Sequence, residues 1–186
     1  MIAVPTDLEI RPLGASADLC VELADLLVEV VARNGSVSFM HPLAPEVARA
    51  FWERALAAAD RGERIVLGAW LDGVLAGTVS LLLDFPPNQP HRGEIAKLMT
   101  RPDLRGRGIA AALVREAERV AIEHRRTLLV LDTATDGGAS TLYESLGFTL
   151  TGEIPDFALT PHGVLTGTRI YWKRIGARPS HSGVDR

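Results

Sequence analysis

Apolar residues recur every three or four positions in several stretches of the chain, which is the spacing of an amphipathic helix. Leu19, Leu23 and Leu27 follow this spacing, and the preceding Ser16 is suited to cap a helix N-terminus. Pro45 stands where a first-turn proline belongs, because an N–H at that position has no partner within the helix. The pattern predicts four helices: Ala17–Arg33, Pro45 to about Asp60, Gly108–His124 and Ala139–Leu146.

Between these helices lie short segments in which apolar residues alternate with polar ones or follow one another without interruption, as they do in strands. Asp72-Gly73 separates two of these segments and is a strong signal for a two-residue hairpin turn. Asp84–Arg92 contains three prolines and is predicted to be a loop. The predicted strands are Leu8–Leu13, Arg64–Leu71, Val74–Leu83, Glu94–Thr100, Leu128–Thr133, Phe148–Glu153 and Gly167–Lys173.

The resulting order of elements, β-α-α-β-β-β-α-β-α-β-β, describes one α/β domain with a mixed sheet. We expect helix Gly108–His124 to join two parallel strands, since a crossover helix is the usual connection between them. Residues 1–175 are assigned to this single domain. The polar segment 176–186 contains Gly, Ser and Pro and is predicted to be a disordered tail.

The composition excludes several classes of protein. Of the 186 residues, 47% are hydrophobic and 23% are charged, which argues against a wholly disordered chain. The net charge of −3 gives no general attraction to nucleic acid, so no such partner is expected. No apolar run reaches the roughly 18 residues of a membrane span, and the N-terminus lacks the pattern of a secretory signal. A soluble, cytoplasmic protein without a membrane partner is therefore expected.

Cysteine and histidine content limits the metal and redox chemistry of the chain. The single cysteine, Cys20, excludes an intramolecular disulfide and a cysteine-cluster zinc site, and its apolar neighbours favour a small buried side chain. Because the histidines and carboxylates lack the spacing of a metal site, we predict no metal.

The stretch Leu98–Ala110, LMTRPDLRGRGIA, has the strongest chemical signal in the chain. A strand ends here and a helix begins, and Gly106 and Gly108 allow the backbone to approach a ligand closely. Unpaired N–H groups at a helix N-terminus bind phosphate, and Arg105 and Arg107 add positive charge for the same anion. Taken alone, this pattern fits an ordinary strand-to-helix turn equally well.

Two motifs in this order resemble those of a known family. Arg105, Gly108 and Ala110, with a proline three residues before the arginine, resemble motif A, Arg-x-x-Gly-x-Gly/Ala, of the GCN5-related N-acetyltransferases (GNAT). ASTLYESLGF at Ala139–Phe148 resembles motif B of the same family. The resemblance covers about Leu8–Lys173.

The resemblance implies a mixed, mostly antiparallel sheet with helices on both faces and a V-shaped splay between the fourth and fifth strands. It also implies acetyl-CoA as the acetyl donor. In the family, the strand before the turn pairs with the pantetheine arm, and the amides of the turn bind the pyrophosphate. The corresponding positions here are Leu98, Met99, Thr100, Arg105, Gly106, Arg107, Gly108, Ile109 and Ala110.

Tyr143 matches the motif B tyrosine that, in this family, points at the sulfur of CoA and acts as general acid. The alternative for Tyr143 is an ordinary packed residue of a short amphipathic helix. The resemblance also implies a bulge near Leu98 or Met99, where a backbone N–H meets the oxyanion of the reaction.

The acceptor amine needs a base, because an alkylamine has a pKa near ~10 and is mostly protonated at pH 7. Glu94 and Asp132 are the two candidates, and a contact with the substrate ammonium is an equally open role for each. The alternation of side chains along the strand predicts that Glu94 lies on the same face as Leu98 and Thr100. Asp132 ends the neighbouring buried strand. Each residue also has a purely structural alternative. Glu94 could cap the strand end beside Arg92, and Asp132 could cap the turn before the next helix.

Taken together, HRGEIAKLMTRPDLRGRGIA, LDT, LYESLGF and TPHG–IYWK resemble the branch of the family that contains the tabtoxin-resistance acetyltransferase. That resemblance implies acetylation of a small amino-acid-like or toxin-like amine by direct attack, with carboxylates matching Glu94 and Asp132 as bases. We expect the loops Asn34–Pro42 and Asp84–Pro90 to line the acceptor side, although these are the segments that the resemblance predicts least.

Two other functions stay open. One is an acetyltransferase that acts on a protein N-terminus or lysine, and the other is a catalytically silent CoA-binding module. Family members are often dimers, and the apolar end strand Val164–Trp172 is a candidate homodimer surface.

Overall fold

Seven strands form one mixed sheet in the computed structural model, which describes residues 5–176. Along the chain the elements are β1 Glu9–Pro12, α1 Ala17–Ala32, α2 Pro45–Asp60, β2 Arg64–Leu71, β3 Val74–Leu82, β4 Arg92–Thr100, α3 Ile109–Glu123, β5 Leu128–Ala134, α4 Ser140–Ser145, β6 Thr149–Leu159 and β7 Leu165–Arg174. The sheet order is β1-β2-β3-β4-β5-β7-β6. β4 and β5 run parallel, and the other neighbouring strands are antiparallel. The predicted mixed, mostly antiparallel sheet is confirmed.

Helices cover both faces of the sheet because each has one apolar side. α1 begins after Ser16, whose hydroxyl accepts a hydrogen bond from the Leu19 amide as predicted. α1 and α2 pack on one face around the fully buried Trp52, and α3 packs on the other face around Leu113. α3 connects β4 to β5, so it is the expected crossover between the two parallel strands. Cys20 is buried in the α1–α2 face.

β6 is longer than predicted and is the main departure from the expected element bounds. The predicted strand ends at Glu153, two residues before Pro155, yet β6 continues to Leu159. β6 is the edge strand of the sheet. A proline is tolerated there, because an edge strand needs no backbone hydrogen bonds on its outer side. A register shift with Asp156 at a φ of +51° accommodates the irregular segment. The extra residues extend a hairpin toward the splay.

The predicted tail lies outside the described residues, apart from Gly176. The assignment of residues 1–175 to one domain stays a prediction.

Candidate active site

A cleft opens where β4 and β5 stop pairing. The two strands pair from Arg92 with Leu128 to Glu94 with Val130, and beyond Glu94 they separate, which confirms the predicted splay. The cleft has a volume of about 520 Å³. Its wall is formed by both strands, the loop after α1, the start of α4 and the hairpin of β6 and β7.

β4 contains a bulge beside this cleft. Its residues Lys97 and Leu98 lie opposite the single residue Val79 of β3, and the backbone of Lys97 has a φ of +51°. A bulge leaves backbone groups out of the strand ladder, and a free N–H is the group that stabilises a developing oxyanion. The bulge lies at the position that the family resemblance implied.

The bulge also reverses the side-chain alternation of β4. Ile95, before the bulge, packs in the core of the α3 face, whereas Met99, after it, packs in the core of the α1–α2 face. Glu94 therefore lies on the α1–α2 face, and Leu98 and Thr100 lie on the α3 face. The prediction that Glu94 shares one face of the sheet with these two residues is wrong, because the extra residue of the bulge moves every later side chain to the opposite face.

The turn between β4 and α3 leaves the N-terminus of α3 available to an anion. Gly106 and Gly108 have φ values of +77° and +79°, in the left-handed region that favours glycine. Gly108 is the N-cap and has no side chain to pair with the first-turn amides of α3. These amides and the helix dipole suit a phosphate group.

The predicted cofactor residues fall into two groups in the structure. Those that line the cleft are Leu98, Met99, Thr100, Arg105 and Ala110. The others form the turn itself: Gly106, Arg107, Gly108 and Ile109. Arg107 is exposed, whereas Ile109 is buried in the α3 face of the core and fixes the start of the helix.

Tyr143 lies on α4 with its ring buried and facing the cleft wall. The ring packs edge-on against Phe148, with centroids 5.8 Å apart, and lies tilted against the Tyr171 ring, with centroids 5.9 Å apart. Burial raises the pKa of the Tyr143 phenol well above its usual value, and the negative charge of Asp132 raises that pKa further. The phenol therefore keeps its proton at neutral pH and is able to donate it.

Asp132 lies near the end of β5 and is exposed to the cleft. Its Oδ2 accepts a hydrogen bond of 3.2 Å from the Thr168 hydroxyl on the neighbouring β7. This hydrogen bond joins the Asp132 carboxylate to the neighbouring strand, whereas the structural alternative expected it to cap the turn that follows β5. Its other oxygen sites are free to accept a proton or an ammonium group.

Glu94 is held by a different partner. Arg92 Nη2 lies 2.5 Å from Glu94 Oε2, and both side chains are largely shielded from solvent. The Arg92 guanidinium also lies over the face of the Phe85 ring, 4.3 Å from its centroid, and donates a hydrogen bond to Gln89 Oε1. Glu94 is not part of the cleft wall. The structure thus brings Asp132 and Tyr143 to one cleft and places Glu94 outside it.

Lys97 is a cleft residue that was not predicted. Its Nζ donates a hydrogen bond of 3.0 Å to Ser38 Oγ, and it lies 5.9 Å from the centroid of the Phe51 ring. Burial lowers the pKa of the Lys97 ammonium, whereas Asp132 acts in the opposite direction. A lysine flanked by apolar residues in a buried strand was the sequence signal for this position, since a charge there needs a functional reason.

The loop after α1 and the β6–β7 hairpin form one continuous wall of the cleft. The His41 amide donates to the Pro161 carbonyl at 2.8 Å, and the rings of His41 and His162 lie 4.8 Å apart. Gly35–Ser38 and Phe157–Leu159 line the cleft on either side of this contact. Part of the predicted loop Asn34–Pro42 therefore lines the cleft. The loop Asp84–Pro90 does not, because it lies at the opposite end of β4.

Within residues 5–176, no helix combines the length and apolar character needed to cross a membrane. The same residues contain no group of three or more His, Cys, Asp or Glu side chains suited to a metal ion.

Comparison with known proteins relates the chain to one family. Residues 28–148, more than half of the chain, match the model of the "Acetyltransferase (GNAT) family". N-acetyltransferase 8 of Rattus norvegicus is 38% identical over 99 residues, which are 50% of this chain and 43% of the rat protein. The chain thus spans less than half the length of the curated relatives that it matches.

Solved structures share the fold at low sequence identity. A GNAT superfamily phosphinothricin acetyltransferase from Sinorhizobium meliloti, in complex with acetyl-CoA, has a TM-score of 0.77 at 18% identity over 95% of both chains. A ribosomal-protein-alanine N-acetyltransferase from Brucella melitensis has a TM-score of 0.74 at 22% identity, over 90% of this chain and 99% of its own.

Proposed function

The chain belongs to the acetyltransferase (GNAT) family, and we propose that it transfers the acetyl group of acetyl-CoA to the amine of a small, amino-acid-like acceptor. The observation that carries this proposal is the cleft between β4 and β5. A bulged strand, a protonated Tyr143 and the exposed carboxylate of Asp132 all face it. These are the groups that acetyl transfer to an amine requires.

The residues present fit acetyl-CoA. The uncapped first turn of α3 follows two left-handed glycines, and an added Cβ at Gly106 has no atom within 4 Å, so the backbone there is open to a phosphate group. Thr100 Oγ1 is buried on the cleft wall without a hydrogen-bond partner among the described residues. A pantetheine arm along Leu98–Thr100 supplies polar groups for such an atom, since unpaired buried hydroxyls are costly.

Asp132 is the proposed base, because it is the carboxylate that reaches the cleft. It takes one proton from the acceptor ammonium, which leaves a neutral amine. The nitrogen then forms a bond to the thioester carbon, and an amide at the Lys97–Leu98 bulge donates to the carbonyl oxygen as negative charge develops there.

Tyr143 is the proposed acid. As the carbon–sulfur bond breaks, the phenol donates its proton to the departing CoA thiolate, and the second proton of the nitrogen returns through solvent to the phenolate. Asp132 releases its proton to solvent. The products are the acetamide, free CoA thiol and one proton, so the step balances.

Glu94 acts indirectly in this proposal. Its ion pair with Arg92 ties the start of β4 in position, which makes Glu94 a positioning residue. The resemblance to the tabtoxin-resistance branch rests on sequence motifs. The structural similarity to the phosphinothricin acetyltransferase supports the fold of this chain and not its acceptor. The small acceptor is therefore a proposal.

A panel of amines tests the acceptor, with release of CoA thiol as the readout and calorimetric binding of acetyl-CoA as the parallel measurement. We expect turnover with small amino-acid-like amines. Turnover with peptides but with no small amine supports a protein acetyltransferase instead. Tight acetyl-CoA binding without any turnover supports a silent binding module. The predicted homodimer is tested separately, by light scattering of the purified chain.

A further inference from the structure

Lys97 is a cation in the cleft that has no ion-pair partner in the described part of the chain. Among residues 5–176, no carboxylate oxygen lies within 4.0 Å of its Nζ. Its one hydrogen bond to a described residue uses Ser38 Oγ as acceptor, so within this part of the chain two of the three ammonium donors remain unused. Keeping a half-buried ammonium unpaired costs stability, which favours a functional reason for it.

The position of Lys97 follows from the bulge. The left-handed backbone at this residue inserts it between the two alternations of β4, and its side chain reaches the loop after α1 and the Phe51 ring of α2. Lys97 therefore lies on the α1–α2 side of the cleft. Leu98 and Thr100, the proposed contacts of the pantetheine arm, lie on the α3 face.

The charged groups around Lys97 are of both signs. Asp132 and Glu94 attract its ammonium, and Arg64 repels it. Glu94 is neutralised by Arg92, and Asp132 stays exposed with a hydrogen bond from Thr168. The cleft wall thus presents one free carboxylate and one free ammonium to the same small volume.

We propose that Lys97 determines the acceptor class: it binds the carboxylate of an α-amino acid whose amine lies at Asp132. A zwitterion presents the opposite pair of charges, and a charge-assisted bond to each end orients the nitrogen toward the thioester. The nearby ammonium of Lys97 also disfavours the protonated form of the acceptor amine, which helps Asp132 to deprotonate it. This inference rests on the proposed acetyltransferase function.

The test uses L-α-amino acids, each paired with its own carboxamide, which retains the amine and lacks the carboxylate. We expect the parent protein to prefer the acid to the amide in kcat/KM by about 10-fold or more, the effect of a hydrogen bond between charged groups. In Lys97→Met this acid-to-amide ratio falls toward one, and in Lys97→Arg part of it returns. Arg49→Met is the control, because it removes one positive charge from the exposed side of α2 and leaves the ratio unchanged.

A second readout does not depend on turnover. Calorimetric titration of the protein–CoA complex with the preferred acid gives its Kd, which Lys97→Met raises about 10-fold or more while the Kd of CoA alone stays constant. If Lys97→Met lowers kcat/KM for acid and amide equally, or if the parent acetylates amides as well as acids, the role of Lys97 is overturned and the acetyltransferase proposal stands. If no amine supports thiol release, the acetyltransferase proposal itself fails.

Discussion

The guanidinium of Arg92 lies 2.5 Å from the carboxylate of Glu94, and each side chain is 27% exposed. This pair separates two carboxylates that look equivalent in the sequence. Glu94 already has a cation as partner, whereas Asp132 faces the cleft with a neutral hydroxyl as its partner. The pair therefore predicts which carboxylate acts on the substrate.

Asp132→Asn is expected to lower kcat/KM by about 10²- to 10⁴-fold, the usual contribution of a general base. Glu94→Gln, the matched control, removes one half of an ion pair and is expected to cost about 1 kcal/mol of stability or less, with a much smaller loss of turnover. The measurement is kcat/KM of both variants and the parent at pH 7. A larger loss in Glu94→Gln than in Asp132→Asn assigns the base to Glu94.

Tyr143→Phe removes the proposed acid, and kcat is expected to fall by about 10²- to 10⁴-fold with little change in the Kd of acetyl-CoA. The chain contains a second tyrosine, Tyr171, whose hydroxyl donates to Glu144, so Tyr171→Phe is the matched control. It loses about 1 kcal/mol of stability from one hydrogen bond and keeps its turnover. Equal losses in the two variants contradict a proton-donor role.

The same tyrosine determines what happens at alkaline pH. Burial raises the pKa of Tyr143 above 10.0, so the phenol stays protonated through the neutral and mildly alkaline range. We compare the kcat of the parent with the kcat of Tyr143→Phe and expect their ratio to stay constant from pH 7 to about pH 9. The upper limit lies about one pH unit below the ordinary tyrosine pKa of ~10. A ratio that falls in this range indicates that the phenol has lost its proton there.

Gly106→Ala tests the phosphate-binding turn, with Gly62→Ala as its control. Both glycines have a φ of +77°, and an added Cβ has no atom within 4 Å at either position. Each variant therefore carries similar backbone strain, on the order of 1 kcal/mol. We expect Gly106→Ala alone to weaken acetyl-CoA binding, by about 10-fold in calorimetric Kd. Equal affinities in the two variants are incompatible with phosphate binding at this turn.

Lys97→Met is expected to stabilise the fold at pH 7 by about 0.5–2 kcal/mol, the size of a typical stabilising substitution, because it removes a half-buried ammonium. Burial lowers the pKa of Lys97 below the unfolded value of 10.5, so the unfolded state binds the proton more tightly. The penalty of the charged lysine is complete below the folded pKa, declines as the pH rises from that value toward 10.5, and is absent above 10.5. Thermal unfolding at pH 7 and pH 10 measures this, and the gain in Tm is smaller at pH 10. A lower Tm than the parent at pH 7 contradicts the prediction.

Much of the fold was predictable because its signals are local. Helix α2 begins and ends at Pro45 and Asp60 as predicted, since a first-turn proline and the helical spacing of apolar residues lie within the segment itself. The hairpin turn at Asp72-Gly73 has positive φ values at both residues, as its sequence requires. The end of β6 was not predictable, because Pro155 is tolerated only where the strand lies at the edge of the sheet.

The sequence by itself determined the order of the elements, the glycine turn before α3 and the residues that could act as acid and base. These depend on neighbours a few positions apart. The tertiary structure decided that β4 and β5 separate after Glu94, that Asp132 rather than Glu94 reaches the cleft, and that Lys97 also lines this cleft. These properties depend on the bulge in β4 and on contacts between distant segments. The periodicity of apolar residues does not predict these properties, because one inserted residue reverses the faces of a strand without changing its local pattern.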